Sequence, residues 1–278
     1  MDWFSGLSVL SLETRRGAEM ATLIEKYQGR PTVAPSLRED RQDTSLRLRD
    51  FAARVKAAPD RQLLVCMTGI GTRLFLQDLQ RSDAEAFSRL KALRILSRGA
   101  KPTQALKQFG LQADTVPRPH TWREVHDHLL SGSLRGLDIT ILEYGEPAPP
   151  ALVASLAEAG AAVSPVAVYR CAFPDNPEPL RQAVRDTVAG RHQVLLFSSG
   201  TQAVHFLRCA RDLGLEAELR HALGRMVVAS IGPACSEALG ELRLPFDLEA
   251  NPHKMGILVR AAAEHASGLL ARKRPAVA

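Results

Sequence analysis

Short apolar runs recur along the chain, each followed by a longer stretch whose apolar residues return every three or four positions. The runs Val9–Leu12, Gln62–Met67, Ala92–Leu96, Asp138–Leu142, Val194–Phe197 and Met226–Ser230 predict strands. They are rich in Val, Ile and Leu and lack strict polar alternation, as expected of strands buried on both faces of a parallel sheet. The longer stretches predict helices over Arg16–Gln28, Gly71–Leu79, Lys101–Phe109, Trp122–Leu130, Pro149–Ala159, Glu178–Ala189, Thr201–Leu213, Ala234–Leu242 and Lys254–Leu270. Many stop at or beside a glycine (Gly29, Gly110, Gly160, Gly190, Gly214), the residue that most easily turns the chain after a last helical turn. Such alternation implies βαβ units: an α/β protein with parallel sheets and helices on both faces.

The pattern repeats at an offset of about 130 residues. LLVCMTGIGTRLFL (Leu63–Leu76) lies over VLLFSSGTQAVHFL (Val194–Leu207), with Thr68 on Ser199 and Gly69 on Gly200. ILSRGAKPTQAL (Ile95–Leu106) lies over VASIGPACSEAL (Val228–Leu239), with Ser97 on Ser230, Gly99 on Gly232 and Thr103 on Ser236. Leu10–Pro35 lies over Thr140–Pro165, with Glu13 on Glu143 and Val33 on Val163. Three blocks in the same order imply a tandem duplication of a small α/β unit.

Composition narrows the class. The 278 residues are 45% hydrophobic but only 5% aromatic, which suits aliphatic cores and excludes a disordered chain. No apolar run approaches the ~20 residues that span a bilayer. The N-terminus lacks a basic region followed by a long apolar one, so no signal peptide and a cytoplasmic location are expected. Cys66, Cys171, Cys209 and Cys235 form no CxxC pair and read as small buried thiols in a reducing compartment. His126 and His128 are two apart in a predicted helix and point to different faces, so no metal site is expected there. The net charge of +6 favours an anionic partner, and part of it sits in a C-terminal stretch expected to be solvated (Arg272, Lys273, Arg274). No Lys/Arg stripe interleaved with aromatics is present, which argues against nucleic acid. Neither a membrane nor an oligomer is required.

The repeated glycine turns carry the candidate chemistry. Gly69, Gly99, Gly200 and Gly232 each fall where a predicted strand ends and a helix begins, the edge at which parallel α/β sheets bind ligands. Glycine lets a ligand approach the backbone, and a helix N-terminus offers free N–H groups and positive dipole charge. Such a site binds anions without charged side chains. GxGxxG, GxxxxGK[ST] and GxSxG are all absent, so dinucleotide, P-loop and hydrolase chemistry lack support.

Taken in order, LSLETRRGAEMATLIEKYQG, MTGIGTRLFL, LSRGAKPTQAL, SPVAVYRCAFP, LFSSGTQAVHFL and SIGPACSEALGELRLPFD resemble the blocks of the uroporphyrinogen-III synthase family, over about residues 7–263. The resemblance implies two small α/β domains joined by a two-stranded β-linker, with a cleft between them. Residues 1–36 and 172–278 would form domain 1 and 37–165 domain 2, with linker strands at about 33–37 and 163–171. It implies a cofactor-free lyase that closes hydroxymethylbilane to uroporphyrinogen III with inversion of the D ring and loss of water. Hydroxymethylbilane is a polycarboxylate, which suits backbone N–H groups and a basic chain. A transient contact with hydroxymethylbilane synthase is also implied. In related proteins a Tyr on the second linker strand is the candidate acid, which corresponds here to Tyr169. The substrate-binding set implied is Thr14 and Arg15 after the first strand; Thr68 and Gly69; Arg98, Gly99 and Lys101; Ser198, Ser199, Gly200 and Thr201; and Gly232 and Pro233.

One block departs from the family. After Asp138–Leu142 the family often has an Arg-Gly pair and a further basic residue, whereas this chain has EYGEP, with Glu143 and Glu146. Acids facing a polycarboxylate would repel it. The departure keeps open a second reading, a non-catalytic module of the same fold that binds a tetrapyrrole or another polyanion. A periplasmic-type binding protein fits poorly without a signal peptide. A receiver-like domain fits poorly because its strands should end in an acidic cluster, and these end in Thr, Ser and Gly.

Overall fold

The computed structural model describes residues 3–273 apart from 119, 144 and 146. Residue Arg274 of the basic stretch and residue Glu146 lie outside the described residues. The chain forms two compact units, 1–38 with 172–278, and 39–171. In the first unit β1 (Ser8–Ser11), β2 (Arg30–Val33), β10 (Val194–Phe197), β11 (Val227–Ser230) and β12 (Leu248–Glu249) form a parallel sheet of order β12-β11-β10-β1-β2. In the second, β4 (Gln62–Cys66), β5 (Arg94–Ser97), β6 (Asp114–Thr115), β7 (Asp138–Leu142) and β8 (Ala162–Val166) form a parallel sheet of order β6-β5-β4-β7-β8. Laid strand on strand, β1 and β2 match β7 and β8, and β10, β11 and β12 match β4, β5 and β6. The two sheets therefore have one topology, as the repeat in the sequence requires.

Strand periodicity sorts the cores. Val9, Val194, Leu196, Val227 and Ala229 point to one face of the first sheet, under helices α1 (Gly17–Lys26) and α12 (Met255–Lys273). Leu10, Leu195, Phe197 and Val228 point to the other, under α8 (Glu178–Val188), α9 (Gly200–Asp212), α10 (Glu216–Gly224) and α11 (Pro233–Glu241). The second sheet has the same two-sided burial. Leu64, Cys66 and Leu142 pack on α2 (Ser45–Ala57), α3 (Gly69–Ser82), α4 (Ala84–Arg89) and α5 (Ala100–Gln108). Leu63, Val65, Ile139 and Ile141 pack on α6 (Trp122–Leu130) and α7 (Pro150–Glu158). Burial on both faces is why these strands read as continuous apolar runs.

Three helices escape the sequence reading: α2, α4 and α10. Each is short or dense in charge, such as SLRLRDFAARVKA, and buries only a narrow stripe. The expected linker strands are displaced in part: residues 169–171 lie in the ribbon and the remainder does not. Val33 closes β2, and residues 163–166 lie within β8, both edge strands of the parallel sheets. Pro31 and Pro165 are tolerated there because an edge strand has one unpaired side. The two-stranded antiparallel ribbon is formed a few residues later, by β3 (Arg38–Arg41) and β9 (Tyr169–Ala172). The chain passes from one unit to the other within these two strands.

The C-terminal basic stretch is also corrected in part. Lys273 belongs to α12 and is not solvated: its Nζ donates to the Met226 carbonyl at 2.6 Å and to Asp247 Oδ2 at 2.8 Å. Asp247 Oδ2 also accepts from the Val228 amide at 2.8 Å, so this cation ends the helix on the rim of the sheet.

Gly29 departs from the helix-ending role as well. The left-handed residue there is Gln28, at φ 62°, whereas Gly110, Gly160, Gly190 and Gly214 take φ between 68° and 90°. Gly29 is required by crowding instead, since a Cβ on it would lie 2.7 Å from Ile24 and 2.8 Å from Phe4.

The glycine turns obey a steric rule. A Cβ on Gly200 would lie 2.5 Å from the Ala238 Cβ of α11, and one on Gly69 would lie 2.9 Å from the Lys101 carbonyl of α5. Gly200→Ala is accordingly expected to lower stability by about 1–3 kcal/mol through overpacking. Gly268→Ala, at an exposed position inside α12 with open space around it, is expected to raise it by about 0.5–1 kcal/mol. Urea unfolding of the two variants measures both; a neutral Gly200→Ala would refute the close helix approach.

Candidate functional site

The C-terminal ends of the sheet strands carry nearly every sequence-predicted site residue. In the second unit the loop after β4 leads into α3. Thr68 is its N-cap, in extended backbone, and its Oγ1 accepts from the Gly71 amide at 3.1 Å. A Thr in this position satisfies one of the orphan N–H groups of the first turn. The Tyr169 hydroxyl donates to the same Oγ1 at 3.3 Å. The Tyr169 ring is buried, only 4% exposed, in the core that includes Phe75 and Leu142. Gly145, at φ 88°, closes over it: a Cβ there would lie 2.6 Å from Cys171 Sγ and 2.9 Å from the Tyr169 ring.

The loop after β5 holds Arg98, Gly99 and Lys101. Gly99 is the N-cap of α5 and Lys101 lies in its first turn, exposed. The Arg98 amide donates to the Cys66 carbonyl at 3.0 Å. In the first unit Gly232 is the N-cap of α11 and Pro233 its first residue. Both glycines are in extended backbone that any residue can adopt, so a left-handed turn is not their reason. A Cβ on Gly232 would lie 2.9 Å from the His253 ring, and one on Gly99 would lie 3.2 Å from the His120 ring. The repeat thus extends to a histidine lying against each turn, a feature the sequence comparison missed because the two histidines sit in loops without periodicity.

Hydroxyls rigidify the same two turns. Ser97 Oγ donates to the Gly99 carbonyl at 2.9 Å and contacts Thr103 Oγ1 at 2.8 Å. Ser230 Oγ donates to the Gly232 carbonyl at 3.1 Å and accepts from Ser236 Oγ at 2.9 Å. The expected pairs Ser97 with Ser230 and Thr103 with Ser236 have the same job in each unit.

The loops after β1 and β10 meet at the switch point of the first sheet, where the strand order reverses and crevices form in such sheets. Ser199 is the N-cap of α9, and Gly200 and Thr201 begin the helix. Ser198 is held on three sides. Its amide donates to Gln202 Oε1 at 2.8 Å, its Oγ accepts from Gln202 Nε2 at 2.7 Å, and its Oγ donates to Glu13 Oε2. Glu13 Oε1 accepts from the Arg15 and Arg16 amides at 3.2 and 3.3 Å. Thr14 lies between, with Oγ1 buried and without a hydrogen-bond partner, and Arg15 is exposed.

Glu143, the acid that departs from the family pattern, turns inward. It is 5% exposed; its Oε2 pairs with Arg170 Nη2 at 2.6 Å and its Oε1 accepts from the Ala148 amide at 2.8 Å. A carboxylate neutralised in this way presents no charge to an anion, which removes the repulsion that the sequence suggested. Glu13 and Glu143, matched by the repeat, each fix their loop through backbone amides. Arg170, which follows Tyr169 directly, is a partner that the sequence reading did not assign.

Burial disfavours the thiolate at the three most buried cysteines. Burial pushes Cys66 up to about 12, and Cys209 and Cys235 up to about 11. Among the described residues no group of three or more His, Cys, Asp or Glu is arranged to hold a metal ion. His126 instead contacts its neighbour Asp127, Nδ1 to Oδ1, at 2.8 Å.

The family model for uroporphyrinogen-III synthase HemD matches residues 18–260. The chain is 25% identical to the uncharacterised protein YjjA of Bacillus subtilis over 88% of its length and 91% of that protein's. It is 26% identical to a Methanothermobacter thermautotrophicus protein provisionally named uroporphyrinogen-III synthase, over 81% of this chain and 85% of that one. A crystal structure of mutant uroporphyrinogen III synthase from the extremely thermophilic bacterium Thermus thermophilus has the same fold, with a TM-score of 0.76 at 24% identity, covering 95% of this chain and all of that one.

His205 on α9 links this end of the first unit to the approach of the ribbon. Its ring is buried, its Nδ1 lies 2.7 Å from the Ser36 carbonyl, and burial pushes its pKa below the ordinary value near 6.5. The unfolded chain therefore binds more protons between the folded value and about 6.5. Stability contributed by the neutral ring is fully present above about 6.5 and is lost as the pH falls toward the depressed value. His205→Gln is expected to flatten this loss of the first unit's denaturation midpoint between pH 7 and pH 5; an unchanged slope would count against a neutral buried ring.

Proposed function

The chain belongs to the uroporphyrinogen-III synthase family, and we propose that it performs that family's reaction, the cyclisation of hydroxymethylbilane to uroporphyrinogen III. The reaction is a loss of water. The pyrrole nitrogen's electrons expel the A-ring hydroxyl to give an azafulvene cation; attack on it forms a spiro intermediate, which fragments and recloses with the D ring inverted. The substrate itself drives the departure, so the protein's share is to hold a folded pose and supply one proton near the leaving hydroxyl.

The observation that carries this reading is the hydrogen-bond set on Thr68. Its Oγ1 accepts from both the Gly71 amide and the Tyr169 hydroxyl, so its own proton is directed elsewhere. In the proposed role Thr68 donates that proton to the leaving hydroxyl and Tyr169 replaces it. A tyrosine hydroxyl is a weak acid, and its contribution is modest. The N-terminal turns at Gly69, Gly99, Gly200 and Gly232 bind the substrate carboxylates through backbone amides. Arg15, Arg98 and Lys101 add cations, and Ser198, Ser199 and Thr201 add hydroxyls. The inward, paired Glu143 supports a loop compatible with a polycarboxylate. The work takes place in the cytoplasm, on the free linear tetrapyrrole or in transient contact with the enzyme that makes it, and a monomer suffices.

The test is a coupled assay. Porphobilinogen is fed to hydroxymethylbilane synthase, this protein is added, and the oxidised isomers are separated. A dominant type III product is expected, against the type I isomer that forms spontaneously. Tyr169→Phe is expected to lower kcat about 10–100-fold with little change in KM, and Thr68→Ser, which keeps both cap and hydroxyl, to retain most activity. A type I mixture unchanged by the folded protein would refute the catalytic reading and favour a polyanion-binding module.

A further inference from the structure

The block that departs from the family pattern begins a loop, residues 143–148, that packs against the second strand of the ribbon, within the second unit. Three contacts join the two segments. Glu143 Oε2 pairs with Arg170 Nη2 at 2.6 Å. The Gly145 carbonyl accepts from the Cys171 amide at 3.0 Å. Gly145 also lies so close to the strand that a Cβ on it would meet Cys171 Sγ at 2.6 Å and the Tyr169 ring at 2.9 Å. The loop is tied to itself and to the sheet as well. The Glu143 amide donates to the Val166 carbonyl at 3.0 Å, and Glu143 Oε1 accepts from the Ala148 amide at 2.8 Å. One carboxylate thus holds the two ends of the loop together and pins them to Arg170.

Tyr169 stands between this loop and α3. Gly145 lies against one ring edge, at Cε2 and Cζ. A Cβ on Gly71, in the first turn of α3, would touch the other edge at Cε1, 3.5 Å away, and would lie 3.3 Å from the Glu143 carbonyl. The ring therefore has a glycine on each edge, and its hydroxyl reaches Thr68 Oγ1 at 3.3 Å. A ring packed this closely turns only when a neighbour yields. Helix α3 is fixed by the fully buried Phe75, Leu76 and Leu79. The loop has no such apolar anchor between Glu143 and Ala148 among the described residues, so its polar ties decide how firmly it lies on the ring. With Glu143 buried, its attraction to Arg170 is little screened by solvent. We propose that Glu143 is a positioning residue for Tyr169: through Arg170 and the Ala148 amide it holds Gly145 down on the ring and keeps the hydroxyl on Thr68. The acid whose charge alone would oppose a polycarboxylate serves the proton donor instead. The catalytic consequence rests on the cyclisation reading; the hold on the ring does not.

Two measurements on the full chain separate these. In the first, tyrosine is labelled with carbon-13 at the ring ε positions, the Tyr169 signal is identified by its loss in Tyr169→Phe, and its ring-flip rate is followed by NMR. Glu143→Gln keeps the shape and an oxygen for the Ala148 amide but removes the charge, and is expected to speed the flip about ten-fold or more. Arg170→Lys keeps the cation but loses the planar fork; it is expected to speed the flip by a smaller factor, and it carries the test if Glu143→Gln does not fold. In the second, the coupled assay, Glu143→Gln is expected to lower kcat about 3–10-fold with KM within about two-fold of the parent. It is expected to lower kcat no further in Tyr169→Phe, where the hydroxyl it positions is gone. An unchanged flip rate in both variants would overturn the positioning role whatever the protein's activity. So would a kcat loss that multiplies with that of Tyr169→Phe, or a fall in KM, which would place the Glu143 charge against the substrate. A parent that yields only the type I isomer, with a faster flip in Glu143→Gln, would refute the cyclisation and uphold the hold on the ring.

Discussion

The close approach of helix to helix at the glycine turns is the constraint on which the rest of the structure depends. Gly200 admits α11 against α9, and Gly69 admits α5 against α3, with no room for even a methyl group. Because of that contact, the helix after the central strand and the helix after its neighbour begin side by side at one edge of each sheet. Their unpaired N–H groups and positive dipole ends then share that edge. The same small residue that packs the unit also gathers the helix N-termini on which the proposed carboxylate binding rests.

The loops around these turns are held by internal polar contacts. Glu13 ties the β1 loop to Ser198 of the β10 loop, and Glu143 ties the β7 loop to Arg170 of the ribbon. Ser97 with Thr103, and Ser230 with Ser236, brace the two N-cap glycines. Donors fixed in advance need no reordering when a flexible, highly charged substrate arrives, and fixing such a substrate in one pose is most of what the proposed reaction demands.

The strand-to-helix turns on which the proposed site rests were legible as sequence. The offset of about 130 residues located the four turns, and the resemblance pointed to Tyr169. What escaped was chemistry made by distant partners. The direction of Glu143 depended on Arg170 across the loop, and its charge alone suggested repulsion. His120 and His253 lie against Gly99 and Gly232 from loops that no periodicity marks. His205 lies within an amphipathic helix whose periodicity does not mark it, and the Ser36 carbonyl at its Nδ1 comes from a segment far away in sequence. The ribbon was expected too early because edge strands carrying Pro31 and Pro165 resemble linkers in composition.

By itself, the sequence determined the α/β class, the duplicated topology and the positions of the strand-to-helix turns. These follow from local properties: apolar runs buried on both faces, helical periodicity, and glycine where a side chain cannot fit. Only the tertiary structure decided that Gly69 and Gly200 admit a close helix approach, that Glu143 is paired, and that Lys273 caps the end of the first sheet. Each depends on atoms brought within hydrogen-bonding or van der Waals range by the packing of segments far apart in sequence, and a linear pattern carries no record of those distances.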